Sequence, residues 1–404
     1  MDIEFRAIDP DEYDLMMTAL GRVFGWDHDP TDSRFRELLP LDRTRCGFEG
    51  DRIVATSGAF SLEMTVPGGV VPCGGTTIVS VLPTHRRQGV MRAMMAAHLE
   101  DVRDHKEPLA ALWASDSAIY GRFGYGMASR SVDIEIDRQS TAFHRLAPIP
   151  APARLVELDE AKPLVKRLYD EVRATTPGFF VRTDPWWEHR RFRDDEKSRA
   201  GASADRWVVV GAGDDIDGYV QFRFKSSWEA GHGAGELIIR DLLAATPEAE
   251  SGLWSLVLNH DLTARITAHN RPTDGPVFSL LAGVRRARAE LSDNLWVRIM
   301  DLPAALEGRR YSSPANLVFE VHDPLDGSVA AYRLQTDAEE VSCQPTTDDP
   351  DISLDLEDLS GCYMGRSNFR ALARAGRVAG HPSPLTTADL AFSWDPQPWC
   401  PEVF

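Results

Sequence analysis

A short basic turn between a β-branched run and an amphipathic segment carries the strongest chemical signal in the sequence. Residues 76–81 favour a strand, and apolar side chains then recur at three- and four-residue spacing from residue 90 to 102, which predicts a helix. The turn between them reads Arg86-Arg87-Gln88-Gly89. The first amides of a helix lack internal partners, and its dipole favours an anion there. With guanidinium donors from the turn and from Arg92, this segment predicts a phosphate site, although a solvated turn is the alternative.

Two segments of the chain resemble one family. The basic turn is similar to the acetyl-coenzyme A pyrophosphate loop of the GNAT superfamily of N-acetyltransferases, Gln/Arg-x-x-Gly-x-Gly/Ala, with Met91 in place of the last small residue. That departure suits the enhanced intracellular survival (Eis) branch, whose catalytic segment resembles Ile119-Tyr120-Gly121-Arg122-Phe123-Gly124-Tyr125-Gly126. The chain also ends on an aromatic residue, Phe404, at a similar length. The resemblance extends along the whole chain and is strongest over residues 76–126.

The resemblance implies an acetyl-coenzyme A-dependent N-acetyltransferase that needs no metal ion. In GNAT folds the strand before the loop splays and offers backbone groups to the thioester, and Val79, Ser80 and Val81 occupy that place here. These three could equally be ordinary strand residues on the sequence alone. The rest of the coenzyme-binding set that the resemblance implies is Arg86, Arg87, Gln88, Gly89, Val90, Met91, Arg92, Tyr120 and Gly121.

The resemblance also implies the proton donor. Acetyl transfer to an amine leaves a thiolate, which benefits from a positioned acid. A phenol has a pKa of about 10 and is protonated at neutral pH. The residues alone favour a core or turn tyrosine at position 125, whereas the Arg-Phe-Gly-Tyr-Gly match makes Tyr125 the donor and Tyr120 the alternative.

The family uses the C-terminal α-carboxylate as the general base, and here that group belongs to Phe404. Chain ends are usually disordered. The tail over residues 394–404, however, holds three prolines, two tryptophans and no basic residue. Prolines reduce the entropy lost on ordering, and a solvated tail is seldom so aromatic. A carboxylate with a pKa of about 3.5 is a weak base, so it would act through water or by orienting an amine already deprotonated in part.

Aromatic and acidic residues near the N-terminus suit a small cationic amine, because carboxylates match its charge and rings its apolar face. The family places a substrate wall in this region, so we expect Phe24, Trp26 and Asp27 to contact the substrate. Glu402 joins them from the tail. A helix end followed by a loop is the alternative for the N-terminal segment.

The pattern of strands and helices predicts an α+β chain with three domains. Residues 1–147 form the catalytic GNAT domain, with a hairpin over residues 46–60 and a helix over 90–104. A Pro/Ala-rich stretch follows, and residues 148–293 repeat the order of hairpin, strand and helix without the basic turn. We interpret them as a second GNAT-like domain that lacks the coenzyme loop.

By resemblance, residues 294–404 form a sterol-carrier-protein-like domain that includes the catalytic C-terminus. Its strand-like runs begin at residue 297. The apolar spacing predicts one helix over residues 362–374 and another that starts at Thr386, where Thr386 and Asp389 have the spacing of a capping box.

The composition of the chain limits the classes of partner that it can bind. The chain has 404 residues, with 44 Lys and Arg against 62 Asp and Glu, a net charge of −18. This charge disfavours nucleic acid and anionic membranes. No apolar run approaches the roughly 18 residues of a membrane span, and the histidines lack metal-ligand spacing. The five scattered cysteines favour reduced thiols in a cytoplasmic protein over disulfides or a zinc site.

The leading hypothesis is therefore an Eis-like N-acetyltransferase that transfers acetyl directly, in a ternary complex, to an aminoglycoside-like amine, a polyamine or a lysine. A homohexamer is expected by resemblance only. The alternative is a non-catalytic scaffold whose C-terminal domain binds a lipid or a partner.

Overall fold

The computed structural model describes residues 3–138, 142–337 and 339–404. The strands are β1 (Glu4–Arg6), β2 (Cys46–Glu49), β3 (Arg52–Val66), β4 (Gly69–Val81), β5 (Leu109–Trp113), β6 (Gly126–Met127), β7 (Arg130–Asp137), β8 (Ala153–Val156), β9 (Arg206–Ala212), β10 (Asp215–Lys225), β11 (Trp228–Glu229), β12 (His232–Gly233), β13 (Gly235–Ala244), β14 (Thr263–Pro272), β15 (Ala287–Asp293), β16 (Leu295–Ile299), β17 (Ala315–His322), β18 (Val329–Thr336), β19 (Val341–Pro345), β20 (Ile352–Asp355) and β21 (Val378–Gly380).

The α-helices are α1 (Tyr13–Phe24), α2 (Arg34–Leu38), α3 (Val90–Asp104), α4 (Ser117–Tyr120), α5 (Leu158–Arg173), α6 (Asp184–Trp186), α7 (Glu196–Arg199), α8 (Pro247–Leu258), α9 (Val277–Leu280), α10 (Leu302–Glu307), α11 (Leu356–Tyr363), α12 (Phe369–Arg374) and α13 (Pro382–Phe392). The predicted helix over residues 90–104 is confirmed with both ends as expected.

The chain forms two compact units. Unit 1 comprises Met1–Ser129, Pro177–Arg191 and Asp293–Phe404, and unit 2 comprises Arg130–Thr176 and Phe192–Ser292. The C-terminal segment therefore shares a unit with the N-terminal one. The finer division at residues 147 and 293 stays a prediction.

A seven-stranded sheet of order β1-β2-β3-β4-β5-β16-β6 positions the site in unit 1. β3 and β4 form a long antiparallel hairpin, and β5 runs parallel to β4. β16 lies antiparallel between β5 and β6 and is buried along its length. The sequence assigns these residues to the start of the third domain, but β16 pairs within the first sheet. An apolar run fits a central strand of any sheet, so the sequence pattern does not show which sheet it joins.

Unit 2 repeats the predicted order of hairpin, strand and helix in β9, β10, β13 and α8. Its sheet has the order β15-β7-β14-β13-β10-β9-β8. The Thr246 hydroxyl caps α8 by accepting a hydrogen bond from the Ala249 amide at 3.3 Å, and Pro247 is the first helical residue.

The C-terminal part of unit 1 contains a five-stranded sheet of order β19-β18-β17-β20-β21 together with α10–α13. The predicted helix over residues 362–374 is wrong, because Gly365 has a φ of 92° and the chain forms two helices instead. The predicted capping box is also wrong. Thr386 lies inside α13, where its hydroxyl donates to the Pro382 carbonyl at 2.8 Å.

None of the five cysteines, all within the described residues, forms a disulfide. In the part of the chain that the structure describes, no helix is both long and apolar enough to cross a membrane. Across the same residues, no cluster of three or more His, Cys, Asp or Glu side chains could hold a metal ion.

A buried ion cluster supports the sheet behind β4. The Arg43 guanidinium binds Glu107 at 2.7 Å and Asp101 at 3.0 Å, and Asp101 also accepts from Arg45 at 2.5 Å. The side chains of Arg43, Asp101 and Glu107 are at most 5% exposed. Because burial of a lone charge is costly, each member depends on the others.

Arg43→Leu therefore leaves buried Glu107 without its guanidinium partner, while Asp101 keeps Arg45 and a longer contact with His105 at 3.7 Å. We expect a loss of about 3–5 kcal/mol in the free energy of unfolding, measured by urea denaturation. The matched control is Arg6→Leu, which breaks a partly exposed pair with Glu12 at 2.6 Å and should cost about 1 kcal/mol or less. Equal losses in the two variants would contradict a dependence on burial.

Candidate active site

The separation of two parallel strands creates the opening of the site. β4 pairs with β3 from Gly69 to Val81, yet among the described residues it pairs with β5 only at Cys73, Gly74 and Gly75. Beyond Gly75 the β5-facing edge of β4 leaves the ladder. Ile78 has a φ of 49° in this stretch, where the β3–β4 register also shifts. The residues from Thr76 to Val81 therefore line a gap between the strands.

A cavity of about 650 Å³ extends from this gap to the start of α3. Ten of the predicted coenzyme-binding residues contribute to its wall, and they are Val79, Ser80, Val81, Arg86, Arg87, Gly89, Val90, Met91, Arg92 and Tyr120. The cavity is also lined by Phe24, Ser115 and Leu325, among others.

The start of α3 has the geometry of an anion site. Gly89 is the N-cap with a φ of 81°, and Arg87 has a φ of 60°. Within the described residues no side chain caps the helix. Its first amides are therefore left to a ligand, and Arg86, Arg87 and Arg92 are exposed around them.

Two predicted coenzyme residues lie outside the cavity wall. The Gln88 amide donates to the Thr84 carbonyl at 3.0 Å and so braces the loop. Gly121 lies against Glu357, since a Cβ on this glycine would stand 2.6 Å from a carboxylate oxygen. Both residues shape neighbouring segments in this structure.

Tyr125 is fully buried at the point where the strands part. Its hydroxyl lies 2.9 Å from the hydroxyl of Thr76, the first residue after the last β4–β5 pair. Burial raises the pKa of Tyr125 well above its ordinary value, although the Thr76 hydrogen bond and the Arg298 charge oppose the shift. The phenol therefore stays protonated. The Tyr120 ring lies 6.0 Å from the Tyr125 ring and lines the cavity itself.

The C-terminal tail is buried and held by hydrogen bonds. The Asn294 side chain exchanges two hydrogen bonds with the Cys400 backbone, at 3.0 and 3.1 Å. The Trp399 amide donates to the Pro177 carbonyl at 2.9 Å, and the ring of Trp399 packs edge-on against Phe179. The tail is thus fixed within unit 1 almost to its last residue.

Glu402, predicted to contact substrate, instead anchors this tail. Its carboxylate is 3% exposed, binds Arg182 and Arg191 at 2.5 Å each, and accepts from the Trp186 indole at 3.0 Å. Burial favours the neutral acid, but the two guanidinium groups outweigh it and lower the pKa of Glu402. The carboxylate is fully engaged, so it does not face a substrate here.

The ring of Phe404 reaches β4 at Gly75. It packs edge-on against Phe180 at 5.7 Å and Phe60 at 6.5 Å between ring centroids. A Cβ on Gly75 would lie 2.7 Å from Leu62 and 3.3 Å from the Phe404 ring. The absence of a side chain at Gly75 therefore makes room for the chain terminus.

The structure separates the predicted substrate residues near the N-terminus. Phe24 lines the cavity and is 48% exposed. Trp26 is also partly exposed, but its ring lies over Gly21. Asp27 is exposed and, like Trp26, does not contribute to the cavity wall.

Four further residues near the site were not predicted from the sequence: Gly75, Thr76, His98 and Leu325. Thr76 contacts both Tyr125 and His98, while the carbonyl of Leu325 accepts from Arg92 at 2.5 Å at the cavity edge. Only His98 could have been found from the sequence. It lies on the apolar face of α3, where a buried polar ring needs a hydrogen-bond partner.

Comparisons with known proteins place the chain in a family. Models of the acetyltransferase (GNAT) domain match residues 4–128 and 178–299, and a sterol carrier protein domain matches residues 302–401. The chain is 37% identical to an uncharacterized N-acetyltransferase of Streptomyces avermitilis, with 100% of both covered. It is 32% identical to the N-acetyltransferase Eis of Mycobacterium tuberculosis over 89% of each.

The crystal structure of Eis1 from Mycobacterium abscessus matches with a TM-score of 0.85 and 29% identity, and the match covers 100% of both chains. These findings confirm the predicted α+β fold, in which tandem GNAT domains precede a sterol-carrier-type domain.

The anchoring of the tail predicts how Glu402→Gln behaves. The pKa of Glu402 is lowered on folding, so its carboxylate stabilises the fold above the ordinary carboxyl pKa of about 4.3. This contribution is lost only as the pH falls through the lower folded value. Glu402→Gln should therefore lower the free energy of unfolding by about 3–5 kcal/mol at pH 7. The difference in the free energy of unfolding between the wild type and Glu402→Gln should shrink only at pH values below the ordinary carboxyl pKa of about 4.3.

Urea denaturation across pH measures this deficit, with Glu100→Gln as the control. Glu100 is exposed and pairs with exposed Arg103, so its replacement should change little. A Glu402→Gln protein as stable as the wild type at neutral pH would refute the anchoring role.

Proposed function

Because this chain belongs to the GNAT N-acetyltransferases of the Eis type, we propose that it transfers the acetyl group of acetyl-coenzyme A directly to a primary amine of a small cationic substrate. One observation carries the proposal. The splayed edge of β4 and the uncapped, basic start of α3 line one cavity, and a protonated phenol lies where the strands part. The anion site suits a pyrophosphate, and the gap suits a thioester.

The coenzyme would be held in two places. Its pyrophosphate would take the amides at the start of α3 and the guanidinium groups of Arg86, Arg87 and Arg92. Its thioester would lie along Val79, Ser80 and Val81, with the acetyl group toward Thr76. The cavity provides both places in one continuous space.

The chemistry requires one bond to form and one to break. The amine nitrogen attacks the thioester carbonyl carbon, and the carbon–sulfur bond then breaks with its electron pair on sulfur. Tyr125 gives its phenolic proton to the sulfur, and the proton of the amine passes to the α-carboxylate of Phe404, directly or through water. The Phe404 ring lies against Gly75 and the Tyr125 hydroxyl lies at Thr76, so both proposed groups belong to the same stretch of β4, which supports this division of roles.

The substrate class follows from charge and shape. A net charge of −18 attracts cations, and exposed Phe24 at the cavity edge offers an apolar surface. Aminoglycoside-like amines, polyamines and lysine side chains share this chemistry, and Trp26 and Asp27 remain proposed contacts. A homohexamer in the cytoplasm is the proposed state. The non-catalytic scaffold does not account for a cavity lined by both the splayed edge of β4 and a basic loop at the start of a helix.

A thiol-release assay with acetyl-coenzyme A and an aminoglycoside, a polyamine or a lysine peptide tests the function. Coenzyme A release should exceed the amine-free rate with at least one of these cations. A thermal shift with acetyl-coenzyme A measures binding separately. The absence of both release and stabilisation at millimolar coenzyme would contradict the proposal.

Tyr125→Phe should lower kcat by about 10- to 1,000-fold, because it removes the acid for the departing sulfur. The thermal shift with acetyl-coenzyme A should persist. Tyr120→Phe is the matched control, because it removes the hydroxyl of Tyr120, the alternative proton donor, which lines the cavity. A large loss in Tyr120→Phe together with full activity of Tyr125→Phe would reverse the assignment.

One glycine added after Phe404 should lower kcat by a similar 10- to 1,000-fold, about the share of a general base. The extension moves the carboxylate away and leaves the aromatic contacts of the ring. Phe404→Leu is the control, because it replaces the ring with a smaller aliphatic side chain but keeps the terminal carboxylate at residue 404. An extended enzyme with full turnover would remove Phe404 from the mechanism.

A further inference from the structure

Three polar groups from three segments form a continuous hydrogen-bonded line beneath the strand gap. The Tyr125 hydroxyl lies 2.9 Å from the Thr76 hydroxyl, which lies 2.9 Å from Nε2 of His98 on α3. His98 and Tyr125 are 0% exposed, and Thr76 is 2% exposed. The mechanism described above uses only the first of these three groups.

The far end of the line is a ring nitrogen without a partner. Nδ1 of His98 is buried and has no hydrogen-bond partner among the described residues. Asp101, whose charge acts on His98, lies one turn further along α3 and is bound by Arg43 and Arg45. Arg43 also binds Glu107. Burial, which exceeds the opposing pull of Asp101, lowers the pKa of His98 to about 4, so its ring is neutral at pH 7.

Three arrangements of protons fit these two hydrogen bonds, because a hydroxyl has one donor and can accept twice. If Tyr125 donates to Thr76 and Thr76 donates to Nε2, the ring proton lies on Nδ1, which has no partner among the described residues. If Thr76 accepts from both Tyr125 and an Nε2–H, the phenolic proton is again held on Thr76. Only when Nε2–H donates to Thr76 and Thr76 donates to Tyr125 is the phenolic proton left for a ligand, and that proton is the one that the proposed reaction needs.

We infer that His98, acting through Thr76, turns the phenolic proton of Tyr125 toward the gap between β4 and β5. The inference rests on the proposed function, since the gap is where the sulfur departs. His98 is thus a positioning residue, and Tyr125 is the group that touches the reacting atoms. An Nδ1–H ring would hold the phenolic proton on Thr76, away from the sulfur.

The proton balance of the step is simple. The phenolic proton moves to the sulfur, and the new phenolate accepts the hydrogen bond that Thr76 already donates. His98 keeps its Nε2 proton and supports Thr76 through the same bond. Water returns a proton to the phenolate after coenzyme A leaves. A donor fixed before the reaction needs no reorientation during it.

Steady-state kinetics on paired variants test the inference. Thr76→Val and His98→Leu remove the hydroxyl and the ring donor, and kcat should fall about tenfold or more, while the KM for acetyl-coenzyme A changes less than about twofold. Thr76→Ser and His98→Gln keep a donor at the same place and should recover most of the rate. Urea denaturation confirms that each variant is folded.

The decisive comparison repeats His98→Leu in a Tyr125→Phe background. If His98 acts through the phenol, the second substitution should change the residual kcat by less than about twofold, because the proton that it orients is gone. An equal fold-loss in both backgrounds would show that His98 only supports the fold, and would overturn the inference.

A readout that does not need activity is the tautomer of His98. Nitrogen-15 NMR of histidine-labelled wild type, with the signal assigned by His98→Gln, should show a neutral ring protonated at Nε2. A ring protonated at Nδ1 in an enzyme that transfers acetyl would overturn the inference alone. A wild-type protein that transfers acetyl to none of the amines, whatever its tautomer, would overturn the proposed function and this role with it.

Discussion

The departure of β4 from β5 after three paired residues is the constraint on which the site depends. Two parallel strands that stayed paired would leave no room for a ligand between them, and their backbone groups would satisfy one another. Here β3 holds β4 along its whole length, so the strand can leave β5 without unfolding. The gap therefore belongs to a rigid sheet, which suits a site that must fix reacting groups.

Two neighbouring residues of β4, where it leaves β5, contact the residues proposed as acid and base. Thr76 holds the phenol of Tyr125, and Gly75 accommodates the ring of Phe404. The terminus can reach Gly75 because Glu402, two residues earlier, is clamped by Arg182 and Arg191. These ion pairs fix the backbone two residues before the C-terminus. The basic residues of the proposed coenzyme loop line the cavity together with Val79, Ser80 and Val81, which lie further along β4.

Much of this arrangement could be predicted from the sequence, because local patterns determined it. The helix over residues 90–104 and the hairpin that leads to β4 follow from periodicity and turn chemistry. The proposed roles of Tyr125 and Phe404 come from the resemblance to the Eis branch, because spacing alone could not give them. The aromatic tail indicated its own burial.

The parts that were missed depend on contacts between distant segments. Nothing local in residues 295–299 distinguishes a central strand of the first sheet from the first strand of a new domain. Glu402 looked like a substrate ligand because its partners, Arg182 and Arg191, lie more than two hundred residues away in the sequence. Thr76 and His98 are ordinary residues until the fold joins them to Tyr125.

The most direct test of the account is a crystal structure of the protein with acetyl-coenzyme A bound. The account predicts the pyrophosphate on the amides at the start of α3 and the sulfur between β4 and β5, within about 3.5 Å of the Tyr125 hydroxyl. A coenzyme bound elsewhere, or one whose sulfur meets Tyr120 while Tyr125 stays enclosed, would contradict it.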